Sequence, residues 1–233
     1  AEEHIVIYSN EPSEFPDHDT NLYTCRREWH DLARLIPIYS VYRPQMFEGI
    51  KKYLPKGAVL ALRHCHGHYG EDDGVYSEAT LKTYDPELEP AMEALQLRGN
   101  IILGESNENP TKKFPCNFLN QGYQFGLVGG TDHNLNMLCN RLGMTGFWVK
   151  EKSPEGIIEA IRNHRTVAIS NGKAIIWTDI DGNPMGSERL QCDKTVAIHV
   201  RVSVPEIIEA IGLIRNGEAL PLLPVGAACF DGI

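Results

Sequence analysis

Short apolar runs, each broken off by glycine or polar residues, recur along this chain and constrain it more than any other feature: "HIVIYS", "GAVLALRH", "GNIILGES", "FGLVGGTD" and "TGFWVK". Each is of strand length and rich in Ile, Val and Leu. Their apolarity is continuous rather than alternating, the pattern of strands buried on both faces, as in parallel sheets. Between them lie segments with helical spacing. "EWHDLARLI" is one; "SPEGIIEAIRNHRT" is another, with Ser153 as cap, Pro154 at the first helical position and Glu155 in the first turn. The alternation predicts a β/α architecture.

After Thr166 the texture changes. "VAISNGKAIIWTDIDGNPMGS" reads as strand, turn, strand, turn, with Asn-Gly and Asp-Gly as turn dipeptides, and "TVAIHVRVSV" alternates with period two. "IGLIRNGEALPLL" repeats the strand, Asn-Gly, strand order. The expected organisation is a β/α part over residues 1–170 and a small antiparallel β-rich module over 171–233. "SNEPSEFPDHDTN" reads as a long surface loop.

The chain is long enough, at 233 residues, to bury a real core without a disulfide or metal staple. A net charge of -9, with scattered basic residues, is the wrong balance for a nucleic-acid backbone binder. No apolar run approaches the ~20 residues of a membrane helix. Six widely spaced cysteines, without C-x-x-C and without a glycosylation sequon, fit free thiols in a reducing compartment, hence a cytoplasmic protein. The opening "AEEHIVIYS" and the close "VGAACFDGI" read as the ends of a segment cut from something longer.

Functional groups in parallel β/α folds gather at the carboxyl ends of strands. Three runs end in capable groups: His64, His66 and His68 after "GAVLALR", Glu105 and Glu108 after "GNIILG", and Asp132 and His133 after "FGLVGGT". Imidazole with carboxylate is the ligand set of Zn, Mn or Fe. A single histidine beyond a strand is ordinarily a hydrated loop residue; three within five residues, with an Asp-His elsewhere, favour metal. Glu105 reads better as a turn cap or solvated acid, and His4, opening its strand, as structural. Glu93 in "PELEPAMEALQLRG" has helical spacing despite Pro90, which suggests a solvated helix face. No G-x-G-x-x-G, phosphate-binding G-x-x-x-x-G-K-S/T or G-x-S-x-G is present. Cys65, between His64 and His66, would point to the opposite side of an extended strand and reads as core.

"VLALRHCHGH", "DPELEPAMEALQLRGN", "YQFGLVGGTDHN", "SPEGIIEAIRNHRTVAISNGKAII", "DGNPMGS" and "GLIRNGE", in that order, resemble an uncharacterised branch of the PHP (polymerase and histidinol phosphatase) superfamily across most of residues 55–220. The resemblance implies a distorted (β/α)7 barrel whose strand ends hold two or three divalent ions, Zn, Mn or Fe, and which hydrolyses phosphoesters. By it, His64, Glu93, Asp132 and His4 match metal ligands, with Glu93 on a strand rather than a helix. His66 or His133 would protonate the leaving alcohol.

Two departures qualify it. The usual final motif is Asp, any residue, His, whereas here Asp132 and His133 are followed by Asn134, and an amide oxygen is a poor ligand for a borderline metal. Nothing before His4 supplies the family's first histidine motifs, and five β/α-type runs are too few to close a barrel. The expectation is therefore a partial PHP-type (β/α) barrel followed by a small antiparallel β module: a metal-dependent hydrolase of a phosphoester or similar small polar ester. The missing half would be another chain or a second copy, or the chain is a fragment, or the site has been lost. The expected partner is a small-molecule substrate, with neither nucleic acid nor membrane. The alternatives are a non-catalytic assembly fragment with a degenerate site, or a β module that positions a partner or carbohydrate through an exposed aromatic such as Trp177, although a tryptophan in such a module is more ordinarily a buried core residue.

Overall fold

The computed structural model of the chain describes residues 5–10, 20–35, 43–63, 84–96, 99–100, 114–131, 143–170, 172–187, 195–216 and 218–233. Its first sheet has six strands: β1 (Tyr8–Asn10), β2 (Thr20–Thr24), β3 (Leu60–Arg63), β4 (Ala91–Gln96), β5 (Gly99–Asn100) and β6 (Gly126–Gly129). β1, β2 and β3 pair antiparallel, as do β4 and β5, while β3–β4 and β4–β6 are parallel.

The expected barrel is not what forms. The described residues make several small sheets with few helices and no closed barrel. Continuous apolarity suggests strands buried on both faces, as in parallel sheets, but a mixed sheet provides such burial as well. "HIVIYS" contributes a three-residue edge strand, and its antiparallel partner β2 begins where a surface loop was expected to end. In β2 the inward positions are Thr20, Leu22 and Thr24, all buried, so two of the three carry hydroxyls and escape an apolar-pattern reading.

β3 is covered on both sides. Ala61, with Val59 and Leu22, belongs to a core that also holds Met46, Phe47 and Ile50 of α2 (Arg43–Tyr53) and Ala33 of α1 (Arg27–Ala33). Leu60 belongs instead to a second cluster with Ala91, Val128 and the helix residues Ile158 and Ile161. Helix α3 (Phe114–Asn120) precedes β6, and α4 (Pro154–Arg162) follows the strand β7 (Met144–Phe147).

α4 begins as its sequence predicts. The Ser153 hydroxyl accepts from the Gly156 amide at 3.0 Å and Pro154 stands at the start of the helix, where its missing N–H costs no hydrogen bond. The helix ends in a Schellman turn: Arg165 N–H donates to Ala160 O at 2.8 Å and His164 N–H to Ile161 O at 3.1 Å. The left-handed position, ordinarily glycine, is His164 at φ 55°.

β7 pairs with β8 (Thr166–Ile169). A four-stranded antiparallel sheet follows, in the order β10 (Asn183–Pro184), β9 (Ile175–Ile180), β11 (Ile198–Ile211), β14 (Leu223–Gly232). The Asp181-Gly182 turn joining β9 to β10 has both residues at positive φ, 50° and 78°, as a type I′ hairpin requires. β12 (Ile214–Arg215) and β13 (Glu218–Ala219) form a short ladder flanking Asn216. Among the described residues, every buried one lies at or before Thr166. No described helix is long and apolar enough to cross a membrane.

Candidate functional site

The segment around Glu93 is a strand, not the helix its spacing suggests. Ala91, Met92, Ala94 and Leu95 are all buried, so apolar residues spaced as on one helical face instead fill both faces of β4. Pro90 ends the preceding turn, and Pro90 O accepts from Gly126 N at 2.8 Å, opening the ladder to β6. Over residues 91–95 Glu93 is the one half-buried member; the other four are buried.

β4 runs parallel to β3 on one edge and to β6 on the other, so three strands point their carboxyl ends the same way. Arg63, last in β3, lies across from Met92; Glu93 lies across from Val128. Register partners share a face. Val128 packs with Ile158 and Ile161, which puts Glu93 on the α4 side of the sheet. There it lines a cavity of about 160 Å³ with Asn21, Tyr23, Gly130, Thr145 and Phe147. That volume is below the roughly 300–1,000 Å³ of drug-sized ligand sites and suits an ion with a small ligand rather than a long substrate.

Two of the three glycines of "GLVGG", Gly126 and Gly129, owe their presence to packing. A Cβ on Gly129 would stand 2.7 Å from Met144 O and 2.8 Å from Leu95 Cδ1, and one on Gly126 2.9 Å from the Thr166 hydroxyl. A Cβ on Gly143 would stand 1.9 Å from Gly130 O. At Gly126 and Gly129, β6 is thus pressed between β4 and the β7–β8 pair at distances that admit no side chain. At Gly130, by contrast, a Cβ would meet Glu93 Oε1 at 3.5 Å, an ordinary contact, so the carboxylate has room beside it.

Of the residues expected to bind metal or move a proton, Glu93 alone lies among the described residues. His4, His64, His66, Asp132 and His133 lie outside them, as do His68, Cys65, Glu105, Glu108 and Asn134. Among the described residues no three His, Cys, Asp or Glu side chains form a group that could hold a metal ion. Glu93 by itself fits such a role: a hard oxygen donor, half-buried, beside a small, mostly apolar cavity into which Asn21, Tyr23 and Thr145 bring the other polar side chains.

Other candidates are structural. Glu89 is 1% exposed, and its Oε2 accepts from Asp85 N at 3.0 Å at the opposite end of β4 from the carboxyl ends, where it closes a turn. The Cys25 thiol is pushed up by burial and then by the Glu155 carboxylate, the reverse of what an activated nucleophile needs. Among the described residues Cys25, Cys116 and Cys229 are free thiols.

The chain matches no protein-family model and no curated protein. It is similar to a crystal structure of a two-domain protein from Bacteroides vulgatus that contains a predicted PHP-like metal-dependent phosphoesterase, with 13% identity and a TM-score of 0.49. The match covers 97% of this chain and 65% of that one, so the chain spans less than two thirds of its length. A likeness of that degree carries no argument about chemistry.

Proposed function

We propose that this chain supplies ligands to a divalent-metal site that hydrolyses a small phosphoester or a similar polar ester. The observation that carries the reading is the parallel order β3–β4–β6. His64 is the next residue in the chain after β3, Glu93 lies within β4, and Asp132 stands three positions beyond β6. Parallel neighbours of this kind converge their strand ends on one edge of a sheet. The sequence resemblance to the PHP superfamily supports the same three residues independently.

In this reading Glu93 and Asp132 provide carboxylate oxygens, and His64 an imidazole nitrogen, to Zn, Mn or Fe. When bound, such ions lower the pKa of a coordinated water toward neutrality and polarise a phosphoryl oxygen. His66 or His133 would hold the proton for the leaving alcohol, because an imidazole titrates near working pH. The net charge of -9 disfavours a long polyanionic substrate. Asn134 favours a second reading, in which the site has decayed and the chain serves as a structural subunit.

Elemental mass spectrometry on protein purified without added metal separates the two. Stoichiometric Zn, Mn or Fe, sharply reduced in Glu93→Gln and Asp132→Ala but not in Glu108→Ala, is the expected result. Equal metal in the parent and all three variants would overturn the assignment, and metal-free parent protein would favour the structural reading. Hydrolysis of p-nitrophenyl phosphate and its bis ester then tests the chemistry.

A further inference from the structure

One face of the antiparallel sheet carries an array that the metal reading does not use. Trp177 of β9 lies directly across from Arg201 of β11, and Arg201 across from Asp231 of β14, so an indole, a guanidinium and a carboxylate form one row across three strands. Ser203 and Cys229 pair in the adjacent row, with Ser203 Oγ 3.5 Å from Cys229 Sγ. Above the row sits Trp148, contributed by the segment after β7. Its ring meets that of Trp177 edge-to-face at 4.9 Å, and its Nε1–H donates to Ile176 O at 2.7 Å, which fixes the ring's orientation. Trp148, Trp177, Arg201, Ser203, Phe230 and Asp231 line a cavity of about 680 Å³, within the roughly 300–1,000 Å³ of small-molecule sites.

The polar groups here are oriented but not exhausted. Asp231 is held by His199 Nε2 on one oxygen and by Arg201 Nε at 3.2 Å on the other, and His199 Nδ1 stands 3.3 Å from Asp179. Arg201 engages a partner among the described residues through Nε, and its terminal nitrogens remain as donors. The Trp177 indole N–H has no partner among the described residues, and its ring is half-buried, so both an apolar face and a donor border the cavity.

Charge selects the ligand. Asp231 already offsets the Arg201 cation, and Asp179 adds a further negative charge beside His199, so the face offers no surplus positive charge to an anion. What it offers is the apolar face of an indole, in a corner where two tryptophan rings meet near a right angle, beside guanidinium donors and a carboxylate acceptor. A ring with an apolar C–H face and neighbouring hydroxyls, each both donor and acceptor, satisfies all three.

We infer that this cavity binds a neutral carbohydrate, a pyranose ring stacked on the Trp177 indole with its hydroxyls held by Arg201, Asp231 and Ser203. The site is separate from the strand ends of β3, β4 and β6 and stands whether or not those hold metal. It would give the chain a sugar-recognising face of its own.

The test is titration of intrinsic tryptophan emission, paralleled by calorimetry, with cellohexaose, xylohexaose, mannohexaose, maltohexaose and chitohexaose. At least one should saturate with a Kd below about 1 mM, and Arg201→Ala and Asp231→Asn should each weaken it at least about tenfold, or about 1.4 kcal/mol. Both residues are solvent-exposed, so the variants should keep the parent's circular dichroism; Trp177→Phe, which keeps an aromatic ring, should bind more weakly than the parent but more tightly than Trp177→Ala. No saturation by any neutral oligosaccharide up to about 10 mM would overturn the inference. So would undiminished binding in Arg201→Ala and Asp231→Asn, or tighter binding of a charged oligogalacturonate than of every neutral sugar.

Discussion

The Thr145 hydroxyl satisfies both backbone groups of Gly129: it donates to Gly129 O at 2.7 Å and accepts from Gly129 N at 3.0 Å. A side chain thereby stands in for a strand partner and ties the β7–β8 pair to β6, two residues before Thr131 and three before Asp132. Thr145→Val keeps the shape and removes the hydroxyl, leaving a partly buried N–H and C=O without their partner. Each such loss costs about 1–3 kcal/mol, so unfolding in urea should report a destabilisation of about 2 kcal/mol or more. Thr145→Ser, which retains the hydroxyl, should recover most of it; equal stability of the Val and parent proteins would show that the hydroxyl does not hold the strand.

Gly143 is the tightest point of the same junction. Its Cβ would come within 1.9 Å of Gly130 O, and that atom is backbone, which cannot swing aside as a flexible side chain can. Gly143→Ala should therefore destabilise by more than the 0.5–3 kcal/mol typical of point substitutions, or prevent soluble expression altogether. Gly172→Ala is a useful control, since nothing lies within 4 Å of its Cβ and its cost should be confined to the positive φ of 68°.

These two sites show how far the chain could be read in advance. "FGLVGG" advertises a strand with a buried face, and β6 is one, but the reason for Gly126 and Gly129 lies in residues 95, 144, 164 and 166, which sequence order does not reveal. The cap at Ser153 was legible because capping is local: its donor, Gly156 N, is three residues away. Glu93 was misread for the opposite reason. Apolar residues at 91, 92, 94 and 95 fit a helical face and a doubly buried strand equally well, and only pairing to β3 and β6 decides between them. β2 went unseen because buried threonines look polar. The Trp177–Arg201–Asp231 row escaped notice because its members come from three strands and meet through register alone.

His164 couples stability to pH. Burial pushes its imidazole below the usual histidine range, so the folded protein binds its proton less readily than the unfolded chain does. The sign follows directly: stability is complete above the unfolded value, near 6.5, and falls as pH drops from there toward the depressed folded value. Other histidines and carboxylates titrate too, so the contribution is isolated by difference. His164→Asn tolerates the left-handed conformation without titrating, and its urea stability should lose less than the parent's between about pH 7 and pH 5. Parallel pH profiles for the two proteins would exclude this role.

Asn134 offers the sharpest test of the metal reading, because the substitution adds a ligand instead of removing one. In "GGTDHN" the position two beyond Asp132 carries an amide, where the superfamily that the sequence resembles carries histidine. An imidazole nitrogen binds Zn, Mn or Fe far better than an amide oxygen does. If Asp132 and Glu93 contribute to one site, Asn134→His should raise zinc affinity, measured by competition with a chromogenic chelator, by at least about tenfold, equivalent to about 1.4 kcal/mol. The gain should vanish when Asp132→Ala is added, because a lone imidazole holds zinc weakly without its neighbouring carboxylate. An unchanged binding curve in Asn134→His would place the residue outside the metal's reach. A gain that survives Asp132→Ala would mean that the new histidine recruits other ligands, and the common site at the ends of β3, β4 and β6 would have to be abandoned.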